Sequence, residues 1–273
     1  MTDLLRKDNI MQKRQITDRN GKIIYWCSKQ PDPSKDTLFF LHGLTADHTM
    51  FIEQIRHFCR SYNIIVWDAP AHGMSRPYRR FTYENAVRGM KAILDECKVS
   101  QVILIGQSMG GFLSQSFISR YPNMAKAFIS IDSTPYGDYY SDTDLWWLRQ
   151  VGWMSMLFPE KLLKSSVSDQ TAFTKAGRAN MSSILAKYGK KELCRLMGKG
   201  YTEFIAENRE LDIPCPVLLI VGVHDKTGKV QQYNREWSRR TGYPLKMIPH
   251  AAHNSNVDAP EAVNRCIEEF LDK

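Results

Sequence analysis

Ser108 sits two residues from a glycine on either side, in Gly106-Gln107-Ser108-Met109-Gly110-Gly111. A seryl hydroxyl is a weak nucleophile at neutral pH. To attack a carbonyl it needs a base within hydrogen-bond reach, and the base needs an acid to fix its tautomer. Two candidate partners lie far downstream, Asp225 in Gly222-Val223-His224-Asp225 and His253 in Pro249-His250-Ala251-Ala252-His253, so the chain order is Ser, Asp, His. His250 competes with His253 as the base, and Asp132 competes with Asp225 as the acid. Together these residue types could perform acyl transfer through a covalent serine ester.

Such a trio works only if rigid elements deliver it. The β-branched run 102–105 reads as a buried strand that stops at Gly106. Phe112, Leu113, Phe117 and Ile118 recur at helical spacing until Tyr121-Pro122. Ser108 then lies on a tight strand-to-helix elbow in an unfavourable backbone conformation, with Gly106 and Gly110 giving the two elements room. Further apolar runs at 37–41, 63–67, 127–131, 216–221 and 244–248 alternate with helical stretches at 47–60, 82–97, 229–241 and 258–271. Short connections between them predict a parallel sheet covered on both faces. Asn20-Gly21 between 12–16 and 22–26 predicts an antiparallel hairpin at one edge.

From 134 to 211 the alternation stops and only helices are expected. The first, 145–158, is dense in Trp and Met. Its aromatics are expected to pack mostly toward the sheet while the segment roofs a cavity, with Trp146, Trp147, Trp153 and Met154 as candidate substrate contacts.

Other polar candidates have plainer readings. His42 and His72 each precede a glycine and suit hydrogen-bonding turns. Asp68 at a strand end suits tying down backbone N–H groups, and His224 matches no metal-ligand spacing. The six cysteines are scattered, without a C-x-x-C pair. Residues 1–15 are charged throughout and lack the apolar centre of a secretion signal, so a cytoplasmic location is expected. No run approaches the roughly 20 apolar residues that span a bilayer, so no stable membrane insertion is expected. Net charge is +8, yet the basic spots at 76–81 and 239–240 are too sparse for a nucleic-acid groove. They read as a solvated face or a mild preference for anionic substrates or surfaces.

Leu41-His42-Gly43, the stretch 67–75 (Trp67-Asp68-Ala69-Pro70-Ala71-His72-Gly73-Met74-Ser75), the serine motif, Gly222-Val223-His224-Asp225 and Ala251-Ala252-His253 together resemble an α/β-hydrolase fold protein with a helical cap, over residues 12–271. The resemblance implies a mostly parallel, eight-stranded α/β sheet with helices on both faces. It assigns 1–133 and 212–273 to the core and 134–211 to an inserted cap. It makes Ser108 the nucleophile, His253 the base and Asp225 the acid, with the backbone N–H groups of Leu44 and Met109 holding the oxyanion. It implies no cofactor and no metal. Serine at the nucleophile position argues against similarity to haloalkane dehalogenases and epoxide hydrolases, which use aspartate there. The Ser108-Met109-Gly110-Gly111 run is similar to that of carboxylesterases and monoacylglycerol lipases. The implied partner is a small apolar ester. A thioesterase or acyltransferase, a carbon–carbon bond hydrolase and a slow or non-catalytic ligand receptor are the alternatives on the same fold.

Overall fold

The computed structural model describes residues 10–272. Residues 1–9, part of the charged stretch considered above for a secretion signal, lie outside the described residues.

Eight strands form one sheet in the order β1-β2-β4-β3-β5-β6-β7-β8. They are β1 (Met11–Asp18), β2 (Gly21–Ser28), β3 (Thr37–Leu41), β4 (Asn63–Trp67), β5 (Val102–Gln107), β6 (Ala125–Ile131), β7 (Val217–Gly222) and β8 (Leu245–Ile248). The hairpin is where Asn20-Gly21 predicts it: Asp18 pairs with Gly21, and the Asp18 carboxylate accepts the N–H of Asn20 at 2.7 Å. β2 runs antiparallel to β4, and every pairing from β4 onward is parallel.

The central strands are buried along their whole length because both faces are covered, so they read as continuous apolar runs rather than alternating ones. Phe39, Leu41, Leu104 and Leu219 point into one core layer; Phe40, Ile105, Ile129 and Ile220 point into the other. Replacing one such phenylalanine by alanine typically costs about 3–5 kcal/mol.

The helices are α1 (Ile52–Phe58), α2 (Tyr83–Glu96), α3 (Met109–Arg120), α4 (Asp142–Ser155), α5 (Glu160–Thr171), α6 (Lys175–Leu185), α7 (Lys190–Glu207), α8 (Val230–Thr241), α9 (Ser255–Asp258) and α10 (Pro260–Leu271). Two expected helices are shorter. The 47–60 stretch opens as a tight turn capped by Asp47, which accepts the Thr49 N–H, before α1 begins. The 258–271 stretch starts afresh at Pro260, whose fixed φ suits a first helical turn.

Helices α4–α7 form the insertion between β6 and β7. One expectation fails there: the aromatics of α4 do not pack toward the sheet. Trp146, Trp147 and Trp153 are each more than half exposed, and Ser155 is the buried residue of the helix. The inward face of α4 instead carries Leu145 and Leu148, packed against the core, and small residues toward α7. Gly152 meets Gly198 of α7 so closely that a Cβ at Gly152 would lie 2.7 Å from the Gly198 Cα.

Candidate active site

β5 ends at Gln107 and α3 begins at Met109, leaving Ser108 alone between them at φ 50° and ψ −115°. That conformation costs a non-glycine residue about 1–3 kcal/mol and persists only where the surroundings over-determine it. Here they do. The Ser108 N–H donates to the Ile131 carbonyl at 2.9 Å, while its own carbonyl accepts from Gly111 N–H at 2.8 Å and Ser133 Oγ at 2.7 Å. The flanking glycines are a steric necessity. A Cβ at Gly110 would fall 1.8 Å from the Leu41 carbonyl oxygen, and one at Gly106 would fall 2.4 Å from the Gly110 backbone.

The loop after β8 brings His253 to this elbow, with Nε2 2.9 Å from Ser108 Oγ. The loop after β7 brings Asp225, whose Oδ2 lies 2.8 Å from His253 Nδ1. A carboxylate on Nδ1 requires the proton there, so Nε2 presents its lone pair to the serine hydroxyl. Asp225 is itself fixed by accepting the Thr227 N–H on Oδ1 at 2.8 Å. Burial alone would push the His253 pKa down. The charge and hydrogen bond of Asp225, with a smaller contribution from Asp132, outweigh it and hold the imidazole above its ordinary value.

The loop after β3 lies against the same elbow. A Cβ at Gly43 would sit 3.3 Å from Ser108 Cβ and 2.1 Å from Gln107 Oε1. The backbone N–H groups of Leu44 and Met109 take no protein acceptor among the described residues.

A family model described as the α/β hydrolase fold matches residues 36–176. The chain belongs to the α/β hydrolase fold family. It is 25% identical over 275 residues to the uncharacterized hydrolase YugF of Bacillus subtilis, covering 92% of this chain and 95% of the relative. It is 26% identical to human protein ABHD8 across 86% of this chain and 54% of the relative, so the chain spans about half of that protein's length. A malate-bound thermophilic esterase from Thermogutta terrifontis shares the fold with a TM-score of 0.76 at 18% identity, covering 96% of this chain and 98% of the other.

The competing residues of this α/β hydrolase fall elsewhere. Asp132 is fully buried behind the trio with both oxygens engaged, Oδ1 by Gly222 N–H and Oδ2 by Ser255 N–H, each at 2.8 Å. Burial and the neighbouring charge of Asp225 push its pKa up, to about 8. It therefore braces the two loops that carry Asp225 and His253. His250 is exposed, with its ring 6.0 Å from that of Phe173, and His224 stacks on the same phenylalanine.

Asp68 accepts from His48 N–H, His48 Nδ1–H and Met74 N–H, the backbone-fastening role its position suggests. His42 bonds at both ring nitrogens, to the Gly43 carbonyl and the Ala69 N–H. His72 is a partial correction: Nδ1 reaches the Pro70 carbonyl, but Nε2 is buried without a protein partner. Burial, then the neighbouring His42, drives its pKa down to about 3, so it stays neutral.

Three contributors had no motif to reveal them. Gln107 Nε2 donates to the His253 carbonyl at 2.6 Å and so fastens the histidine loop to the elbow. Asp258 takes the N–H groups of Ala252, Phe173 and Thr174, joining that loop to the start of α6. The Asn254 N–H, next to His253, donates to the Thr171 carbonyl of α5. The helical insertion also reaches the β3 loop, where Lys187 pairs with the buried Asp47 at 2.7 Å. Trp146, Trp147 and Trp153 lie on the outer side of α4, and Met154 is partly buried.

Proposed function

We propose that this α/β hydrolase cleaves carboxylic esters with small to medium apolar acyl groups through a covalent serine ester. The observation that carries the proposal is the unbroken relay from Asp225 through His253 to Ser108, at 2.8 and 2.9 Å. In this reading His253 Nε2 takes the Ser108 proton as Oγ attacks the carbonyl. Asp225 supports the imidazolium that forms, and the same proton then passes to the departing alcohol. Water, deprotonated by the neutral His253, attacks the acyl-enzyme and releases the acid, returning Ser108 its proton.

The oxyanion is assigned to the N–H groups of Leu44 and Met109. The second heads α3, so the positive end of that helix faces the developing charge. Backbone donors stay in place whatever their side chains, and losing one such donor typically costs about 2.7–4 kcal/mol of transition-state stabilisation. The apolar acyl group suits the Leu44 and Phe112 side chains, which are partly exposed next to the elbow and overlaid by α7. The likeness to the Thermogutta terrifontis esterase supports an ester substrate.

A serine-directed fluorophosphonate should label the chain at Ser108, and p-nitrophenyl esters graded by acyl length should give a burst of p-nitrophenol followed by steady turnover. Absence of both label and turnover would refute the assignment. Turnover of thioesters alone, or product formed only when an acceptor alcohol is supplied, would keep Ser108 but replace the substrate class.

A further inference from the structure

The outer face of the cap is unusual for a surface facing water. Trp146, Trp147 and Trp153 on α4, Met156, Leu157 and Phe158 in the connection, and Leu162 on α5 are all exposed, Leu157 by 71%. Large apolar side chains exposed together along one stretch of chain mark sites that meet a partner or a lipid surface. The patch is ordered. The rings of Trp146 and Trp147 are in edge contact at 4.8 Å. The Trp153 indole N–H donates to Gln150 Oε1 at 2.7 Å, and Gln150 Nε2 in turn donates to the Trp146 carbonyl at 2.9 Å.

Cations flank it. A groove of about 410 Å³ has Trp153 and Met156 on one side and Lys191, Arg195 and Lys199 of α7 on the other. Those three recur every fourth residue, so they form one row along the helix. Lys199 is paired with Glu203, whereas no acidic partner for Lys191 or Arg195 is found among the described residues.

We propose that this face of the cap docks onto an anionic lipid surface. Tryptophans at the level of the headgroups, aliphatic side chains beneath them and lysines and arginines at the rim are the composition of an interfacial element. The net charge of +8 works in the same direction. No helix among the described residues is long and apolar enough to cross a membrane, so the contact is peripheral. A second copy of the chain fits less well, because face-to-face docking would set the unpaired Lys191 and Arg195 of each copy against the same cations of the other. Single-stranded nucleic acid would use the tryptophans and the cations but leave Leu157 and Leu162 without a role. The docking face takes in one edge of α7, and α7 in turn lies over Leu44, since a Cβ at Gly200 would strike the Leu44 side chain at 2.6 Å. The proposal needs no assumption about what Ser108 does.

The test is co-sedimentation of the full chain with sucrose-loaded vesicles, of phosphatidylcholine alone or mixed with phosphatidylglycerol, while tryptophan emission is recorded. The expected result is binding to the anionic vesicles at least tenfold stronger than to the neutral ones, with a blue-shifted emission and weakening at high salt. Leu157→Asp, and separately Lys191→Glu combined with Arg195→Glu, should each cut that binding at least tenfold. Melting temperature and turnover of a water-soluble ester should be unchanged in both. No binding at millimolar lipid, or binding that both variants retain, would overturn the proposal. So would a dimer that Leu157→Asp dissolves in the absence of vesicle binding, or a preference for an oligonucleotide over vesicles.

Discussion

The elbow around Ser108 and the outer face of α4 place polar and apolar groups in opposite ways. At the elbow, polar groups are buried and almost all are bonded, and a strained backbone is held by contacts on every side. On α4, large apolar groups are exposed, and the helix is seated on α7 through glycines. Burial of a polar group is tolerated only where its partners are already positioned, so the elbow is rigid and intolerant of substitution. Exposure of apolar area is tolerated in solution but contributes little to holding the fold, so the outer face of α4 should accept change at little cost to stability. The predictions below would break that contrast if they failed.

The largest effect is expected at Ser108. Ser108→Ala should lower kcat/KM on the order of 10⁶-fold, measured on whichever ester proves best, with little change in melting temperature. Asp225→Asn should follow with a loss of about 10⁴-fold, because an amide can hold His253 in the wrong tautomer and cannot support its charge. Asp132→Asn, by contrast, should act through the two loops it braces, appearing first in stability. A loss from Asp132→Asn equal to that from Asp225→Asn would make Asp132 the working acid and reverse the assignment.

The pH profile sharpens the electrostatic half of the comparison. His253 must be neutral to act as a base, and its pKa is raised by Asp225 against the pull of burial. The acid limb of kcat/KM should therefore lie above the ordinary histidine value of about 6.5. In the residual activity of Asp225→Asn the limb should move to lower pH, since burial then acts without its main opponent. The same raised pKa stabilises the folded state below about pH 6.5, and that contribution fades as pH climbs through the higher folded value. A limb that stays in place in Asp225→Asn would show that another group sets it.

Gly110→Ala probes the steric half. Its Cβ would overlap the Leu41 carbonyl oxygen at 1.8 Å, which neither β3 nor α3 can avoid without moving the elbow. A destabilisation of at least 1–3 kcal/mol, about what overpacking commonly costs, is expected from chemical denaturation, together with loss of Ser108 labelling.

Much of the core was readable because its signals are local. Each buried strand is a β-branched or aromatic run ending at a glycine or a polar loop, and 37–41 and 63–67 coincide with β3 and β4. The relay was readable because in parallel sheets functional groups sit in the loops after strands, which narrows the candidates to a few residues. What escaped depends on long-range placement. Gln107 sits between Gly106 and Ser108 with no spacing that marks it, and only the folded chain shows its amide fastening a loop 146 residues away. Asp258 looks like an ordinary helix-terminal aspartate until α6 is brought beside it. The direction in which α4 faces was misread because apolar content measures how much area a helix could bury, not which side meets the sheet. The Gly152 and Gly198 contact, which decides it, pairs residues on different helices.

The smallest effect is expected where the sequence looked most hydrophobic. Trp147→Ala removes a large aromatic ring, and in a buried position such a change would cost about 3–5 kcal/mol. Trp147 is 52% exposed, and among the described residues its one ring contact is the edge of Trp146. Exposed residues of this kind usually change stability by no more than about 0.5 kcal/mol. Denaturation midpoints of Trp147→Ala and Phe39→Ala, measured side by side, test the contrast directly, since Phe39 is fully buried between β4 and β5. If the tryptophan proved as costly as the phenylalanine, α4 would be part of the stabilising core in solution, and its outer face would have to be covered by something that the isolated chain supplies.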